Sequence, residues 1–350
     1  MSKPILVVGA GFSGAVIARE LAEAGFIVEV VDKKAHVGGH AYDYLNSLGI
    51  RVHKYGPHLF HTSNRKVVDW LSRYTQWTPY AHRVKAMLAN GRLVTLPVNA
   101  ETTSIVGKEN VLDIFFRPYS KKMWGLELEL IDPSIIDRVP IRDDLNELYF
   151  PNDDFQALPK FGYDGLFNNI LDHPNIRVSL NTDYGVVNPR LFGHVFNSMP
   201  IDEFFDFRLG ELPYRSIRFH TLDLAVPRLF PVAQVNFTHD GPHTRVTEWK
   251  NLPGHGDHSF LTTLTFEEPC CYKENNFERY YPVKDISGVN LKLYKDYRAL
   301  TPENMTFIGR CGQYVYIDMH QAVSSALAVA KSFLDQHRVA QRGALNGEDG

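Results

Sequence analysis

The sequence predicts an α/β fold in which a nucleotide domain with a parallel sheet, assembled from separate stretches of the chain, carries an inserted antiparallel β-sheet and a small helical region. Three observations predict it. Residues 5–32 read as strand, glycine turn, helix, strand and acid. Residues 82–96 alternate about an Asn90-Gly91 turn, a strong local signal for a hairpin. Residues 305–334 return to a strand and a glycine turn aimed at a helix.

In the opening unit, an apolar run enters Gly9-Ala10-Gly11-Phe12-Ser13-Gly14, a helical pattern follows to Ala24, and a second apolar run ends on Asp32. Gly9 permits the tight turn, Gly11 lets the backbone approach a diphosphate, and Gly14 lets the helix close on the strand. The helix N-terminus turns unpaired N–H groups and a positive dipole end toward phosphate. Asp32 is placed for the ribose hydroxyls, which makes this a Rossmann-like dinucleotide site. The pair Lys33 and Lys34, a short spacer and Val37-Gly38-Gly39 extend the fingerprint as flavoproteins do, so the cofactor expected is FAD rather than NAD. The candidate cofactor residues in this part are Gly9, Gly11, Phe12, Ser13, Gly14, Asp32, Lys33, Gly39 and His40.

Further along, the FAD domain is expected over 1–79, 151–213 and 301–338. It is interrupted by the hairpin at 80–98, by a helical region at 99–150 that Pro118, Pro133 and Pro140 break into short pieces, and by an antiparallel sheet over 214–300. Strands are expected at 214–237 and 260–266. In the last part, residues 319–334 carry apolar residues at helical spacing, so both chain ends are expected to meet on one FAD. Residues 339–350 are polar and read as a frayed tail.

A length of 350 residues allows two or three packed subdomains, and 44% hydrophobic with 22% charged residues is ordinary for a globular chain. No apolar run reaches the length of a membrane span and the N-terminus forms a strand rather than a signal, so a cytoplasmic protein is expected. Cys270, Cys271 and Cys311 show no ligand spacing, so neither a metal nor a disulfide framework is expected. A net charge of -3 argues against nucleic-acid binding and leaves an anionic partner to local arginines.

Several blocks concentrate functional residue types. His58 and His61 follow the first FAD unit, Tyr119 and Trp124 flank two lysines, Arg138 lies before Pro140, Arg245 sits on a strand-like stretch, and Arg310 to Met319 opens the last helix. Singly, each has a structural explanation: Arg138 would pair with Asp137 or Asp143, and Tyr119 and Trp124 would be core aromatics. Together they form a series. The order FHT, YxxKxWG, PSIIxRxP, NELYF, LPKFGYDGLFNNIL, LPYRSIRF, TRVTEWK, YYP and GRCGQYVYIDM resembles the UDP-galactopyranose mutases, from about residue 3 to residue 335.

That resemblance implies an isomerase that interconverts UDP-galactopyranose and UDP-galactofuranose: reduced FAD attacks the anomeric carbon through N5, UDP leaves, and the sugar ring opens and recloses. It further implies that Arg138, on a mobile loop, and Arg245 bind the diphosphate; that Tyr149, Tyr281 and Tyr316 hydrogen-bond it; and that Tyr119 stacks on uracil with Phe115 and Phe116 nearby. Trp124 and His82 lie beside the sugar, His58 and Arg310 against the flavin, and Asp318 and Met319 at the helix entrance, while Arg215 is structural. NAD(P)H or another reductant would act transiently, since no second dinucleotide fingerprint is present.

Two departures qualify the match. The stretch between residues 96 and 115 is short, so a homo-oligomer would lack the family's usual dimer interface. Cys311, Val315 and His320 replace expected leucine, arginine and aspartate, which leaves UDP-N-acetylgalactosamine or a dTDP-deoxyhexose open as the substrate. A flavin oxidoreductase of the amine-oxidase-like class, and a flavin- and nucleotide-binding protein without turnover, are the competing readings.

Overall fold

Strands buried on both faces are what a parallel sheet covered by helices requires, and Ile5–Val8 and Val28–Val31 have that character. A computed structural model, which describes residues 3–130 and 141–346, places them at the centre of a five-stranded sheet. Its order is Ile176–Ser179, Val28–Val31, Ile5–Val8, His194–Asn197 and Met305–Phe307, with every pair parallel. Three distant stretches of chain therefore supply one sheet.

Alternation along the first strand decides which layer each residue joins. Ile5 and Val7 pack in the core that holds Ala15 and Leu21 of the helix Phe12–Glu23 and Val323, Ala326 and Phe333 of the helix Met319–Asn346. Leu6 and Val8 face the opposite layer, with Ile201, Phe205, Tyr297 and Tyr314. The helix Gly162–Leu171 adds the ring of Phe167, 4.6 Å from Phe12.

A seven-stranded sheet runs in the order Tyr281–Pro282, Tyr214–Leu224, Thr262–Cys271, Arg245–Glu248, Gln234–Phe237, Val84–Met87 and Leu93–Leu96. The Asn90-Gly91 hairpin forms its edge. The sheet is not wholly antiparallel as expected, because Gln234–Phe237 and Val84–Met87 pair in parallel. No tight turn links those two strands, so nothing forces them to run in opposite directions. The strand expected at 214–237 is two strands, Tyr214–Leu224 and Gln234–Phe237, separated by a segment holding Pro227 and Pro231, which cannot donate to a ladder. The strand expected at 260–266 extends instead over Thr262–Cys271. Phe60–Thr62, Phe155–Pro159 and Trp77–Pro79 form a separate small sheet.

In the helical region, Asn99 caps the helix Ala100–Val106 by accepting from the Thr102 N–H at 3.0 Å. A π-helical turn, Leu112–Phe116, leads into the helix Arg117–Trp124. Pro118 opens that helix instead of breaking it, since its missing N–H falls where helices leave donors unpaired. Pro133 and Pro140 lie outside the described residues. Arg215 donates to the carbonyls of Met123 (2.9 Å) and Lys122 (3.2 Å), a cation closing the C-terminus of this helix. Lys122 ties the helix to the sheet through the carbonyls of Phe237, His239 and His243. Among the described residues no helix is long and apolar enough to cross a membrane.

The glycine turn is fixed by close approach. Gly9 has φ +99°, and a Cβ on Gly14 would stand 1.9 Å from the Gly9 carbonyl oxygen. Gly14→Ala should therefore cost about 1–3 kcal/mol, the usual penalty for overpacking. A denaturant-unfolding midpoint equal to that of the parent protein would show that the helix shifts freely.

Candidate functional site

Two adjoining cavities open where these elements converge. The first lies against the glycine turn and the start of the C-terminal helix. It is lined by Gly9, Gly11, Phe12, Ser13, Gly14, Asp32, Lys33, Gly39, His40, His58, Arg310, Asp318 and Met319, so all the cofactor residues read from the sequence meet in one place. Asp32 accepts from the Ala10 and Lys34 N–H groups, both at 2.8 Å, which fixes its carboxylate and leaves further lone pairs for hydroxyl donors. The side-chain-free surface at Gly11, whose Cβ would meet Gly39 at 3.6 Å, gives a diphosphate room beside the helix N-terminus. This cradle fits FAD.

Glu278 also lines this cavity and had no local sequence signal, because it reaches the site from a loop far along the chain. Both its oxygens lie 2.7 Å from Lys34 Nζ, and Oε1 lies 2.6 Å from His40 Nε2. Burial opposes its charge, but His40 and Lys34 hold its carboxyl well below the usual range.

The second cavity, about 520 Å³, is lined by Tyr119, Trp124, Tyr149, Tyr281, Tyr316, His82 and Arg245. His58, Arg310, Asp318 and Met319 line both cavities, so a ring bound in the first would face a ligand in the second. Trp124, Tyr281 and Tyr316 pack on one another with ring centroids 5.0–6.0 Å apart. The Arg310 guanidinium carbon lies 5.0 Å from the Tyr281 ring and 5.5 Å from that of Tyr316, and its Nη2 donates to the Ile317 carbonyl at 2.7 Å. Arg245 opens the strand Arg245–Glu248 and sets Nε 2.7 Å from the buried Glu267 Oε2. Burial works against its charge, yet Glu267 and the phenols of Tyr119 and Tyr281 outweigh that and raise its pKa.

The structure places some sequence candidates elsewhere. Phe115 is buried with Val84, Ala86 and Val111, and Phe116 packs on the same cluster, so neither lines the cavity. The π-helical turn that carries them directs them toward the hairpin. Arg138 lies outside the described residues. Tyr314 has φ +49° and donates its hydroxyl to the Val283 carbonyl at 2.7 Å in the core, while Tyr316 reaches the cavity. Glu248 and Lys250 serve the fold. Glu248 accepts from the Phe230 N–H and the Thr262 hydroxyl, both at 2.7 Å, and Lys250 donates to the Pro227 carbonyl at 2.8 Å.

Other cavity residues were not singled out as site residues. His61 stacks on Phe150 with centroids 3.5 Å apart and holds Asp153 Oδ2 at 2.6 Å from Nδ1. Tyr280, Gln234 and His320 also line this cavity. The FHT, NELYF and YYP blocks contain His61, Phe150 and Tyr280, but Gln234 carried no such mark.

A model of the family described as UDP-galactopyranose mutase matches residues 114–316, and one described as an NAD(P)-binding Rossmann-like domain matches residues 7–74. The chain is 33% identical to a probable UDP-galactopyranose mutase of Klebsiella pneumoniae, over 95% of each chain. It is equally 33% identical to a dTDP-fucopyranose mutase of Escherichia coli, over 95% of this chain and 99% of the relative. Among solved structures, a reduced UDP-galactopyranose mutase superposes with a TM-score of 0.73 at 16% identity, over 96% of this chain and 94% of that one, which shows a shared fold.

His82 gives the site a pH signature. Burial, aided by the nearby Arg245 cation, pushes its pKa down to about 3. The unfolded chain protonates this imidazole near about 6.5, so its contribution is fully present above that pH and is lost progressively as pH falls toward 3. Between pH 7 and pH 5 the loss amounts to roughly 2 kcal/mol. Unfolding free energies at the two pH values should differ less in His82→Asn than in the parent, and equal differences would remove His82 from the acid response.

Proposed function

This chain belongs to the UDP-galactopyranose mutase family, and we propose from that premise that UDP-galactose is the sugar nucleotide it interconverts between pyranose and furanose forms. It is a flavin-dependent pyranose/furanose mutase that uses FAD, an isomerase rather than an oxidoreductase. The observation that carries the substrate reading is the second cavity, in which Arg245, Arg310 and five tyrosines surround one space sharing a wall with the dinucleotide cradle. Guanidinium and phenol donors suit a diphosphate, and two cations disfavour an amine.

Bound and reduced, FAD supplies the nucleophile for the anomeric carbon. The residues of the chain do the rest. As the diphosphate departs it gains negative charge, which the Arg245 guanidinium, held in one pose by Glu267, is placed to stabilise. Arg138 is assigned as the second diphosphate arginine. Tyr149, Tyr281 and Tyr316 offer hydroxyl donors to the same group, Tyr119 offers a ring face to the base, and Trp124 and His82 flank the hexose. His58 and Arg310 line both cavities and would stand between the two ligands.

The dTDP-fucopyranose mutase relative supports a second reading, a dTDP-deoxyhexose substrate, and Cys311 and His320 on the cavity walls are the residues that would select it. UDP-N-acetylgalactosamine belongs with that reading. The reductant, NAD(P)H or another donor, is assigned a transient visit, and the enzyme is placed in the cytoplasm.

Arg245→Ala should lose about 2–5 kcal/mol of transition-state stabilisation, read from kcat/KM, because it also leaves the buried Glu267 unpaired. Arg245→Lys should recover part of it; near-parental turnover in Arg245→Ala would take this residue out of the mechanism. Under anaerobic conditions the dithionite-reduced protein should convert UDP-galactofuranose to UDP-galactopyranose while the oxidised protein does not. Conversion of a dTDP-linked furanose instead would establish the second reading, and equal rates in both oxidation states would sink the flavin-dependent step.

A further inference from the structure

Outside both cavities, two strands and a loop of the seven-stranded sheet bring three ligating side chains together. His220 lies on Tyr214–Leu224 and Glu268 on Thr262–Cys271. These strands pair antiparallel with His220 opposite Phe266 and Arg218 opposite Glu268, so Glu268 is the diagonal neighbour of His220 on the same face. His243 arrives from the loop between Gln234–Phe237 and Arg245–Glu248. One donor atom from each of the three lies within 4.8 Å of the others, and His220 Nε2 is 2.7 Å from Glu268 Oε2.

We propose that His220, His243 and Glu268 form a binding site for a divalent transition metal of the zinc type. Two imidazoles and one carboxylate are a recurrent zinc donor set that leaves a fourth position for water. Ligands at about 2.0–2.2 Å from a tetrahedral ion stand roughly 3.4 Å from one another. The His220–Glu268 pair already lies within that spacing, so closing the site means bringing His243 inward by a side-chain rotation. None of the three is buried, so that rotation is open to them. Phe266, in ring contact with His243 at 5.3 Å, supports the imidazole without using its nitrogens.

Two cations face the site and set its character. Arg218 holds Glu268 Oε1 at 3.0 Å, which leaves Oε2 as the ligating atom. Lys122 spends its ammonium on the carbonyls of Phe237, His239 and His243. Their charge opposes a second cation, so the affinity expected is micromolar rather than that of a closed structural zinc site. A metal here would pin the loop that ends at Arg245 and that Lys122 already fastens to the helix Arg117–Trp124, so its binding would bear on the substrate cavity.

The test is calorimetric titration of Zn²⁺ into the full-length, FAD-loaded protein after EDTA treatment and dialysis. One equivalent should bind, and His220→Ala and His243→Ala should each weaken binding at least tenfold with flavin content unchanged. His220→Ala removes an exposed ring, and Glu268→Gln provides a second probe that keeps the side-chain shape. Unchanged affinity in His243→Ala, or loss of binding in Cys270→Ser or Cys271→Ser instead, would overturn the site. So would the absence of binding by the parent protein, which would leave the trio as a surface ion pair with a neighbouring imidazole.

Discussion

The approach of the opening helix to the first strand governs the geometry of the whole molecule. A Cβ at Gly14 would meet the Gly9 carbonyl at 1.9 Å, and one at Gly9 would meet Ser198 Oγ at 2.0 Å. Only glycine lets the helix start this near the sheet, and only that start points its free N–H groups across the ends of the parallel strands. Met305–Phe307 joins the same sheet, and the turn after it sends the helix beginning at Met319 toward the same space. The position of Arg310 between the two cavities follows from that return of the chain.

A cavity lined by two guanidinium groups stores positive charge, and stored charge in a low-dielectric site is costly unless paired. The protein meets this in two ways. Arg245 is partnered by Glu267, while Arg310 lies against the rings of Tyr280, Tyr281 and Tyr316 and donates to the carbonyls of Ile317 at 2.7 Å and Tyr280 at 3.4 Å. Aromatic faces and carbonyls soften a charge without cancelling it. Arg310 is therefore the less neutralised of the two guanidinium groups, and it is the one shared with the cofactor cradle, where negative charge is expected on either side.

What the sequence made legible was set by range. The glycine turn with Asp32 and the Asn90-Gly91 hairpin are written in consecutive residues, and the structure holds both as read. The residues expected at the cofactor also line one cavity, since they sit at strand ends and helix starts with recognisable neighbours. The parallel pairing of Gln234–Phe237 with Val84–Met87 was not legible, because no turn connects the two strands. The directions of Phe115 and Phe116 depend on one π-helical turn, and a single extra residue in a helix leaves no mark in an apolar pattern. Glu278 escaped because its role rests on Lys34 and His40, more than two hundred residues earlier.

The same reasoning bears on why this scaffold isomerises rather than oxidises. Fold alone leaves the chemistry open. The distinction lies in what surrounds the reacting carbon, and here two guanidinium groups stand against one lining carboxylate, that of Asp318. His82 is kept neutral by its burial and by Arg245, so the guanidinium groups are its cations, and Glu267 is committed to one of them. A site of that composition stabilises a departing dianion far better than it accepts an ammonium substrate, and it does so where departure must be reversed to close the new ring. Reversal requires the leaving group to stay bound through the rearrangement, and a lining of hydroxyls from Tyr149, Tyr281 and Tyr316 beside fixed guanidinium groups is suited to retaining it.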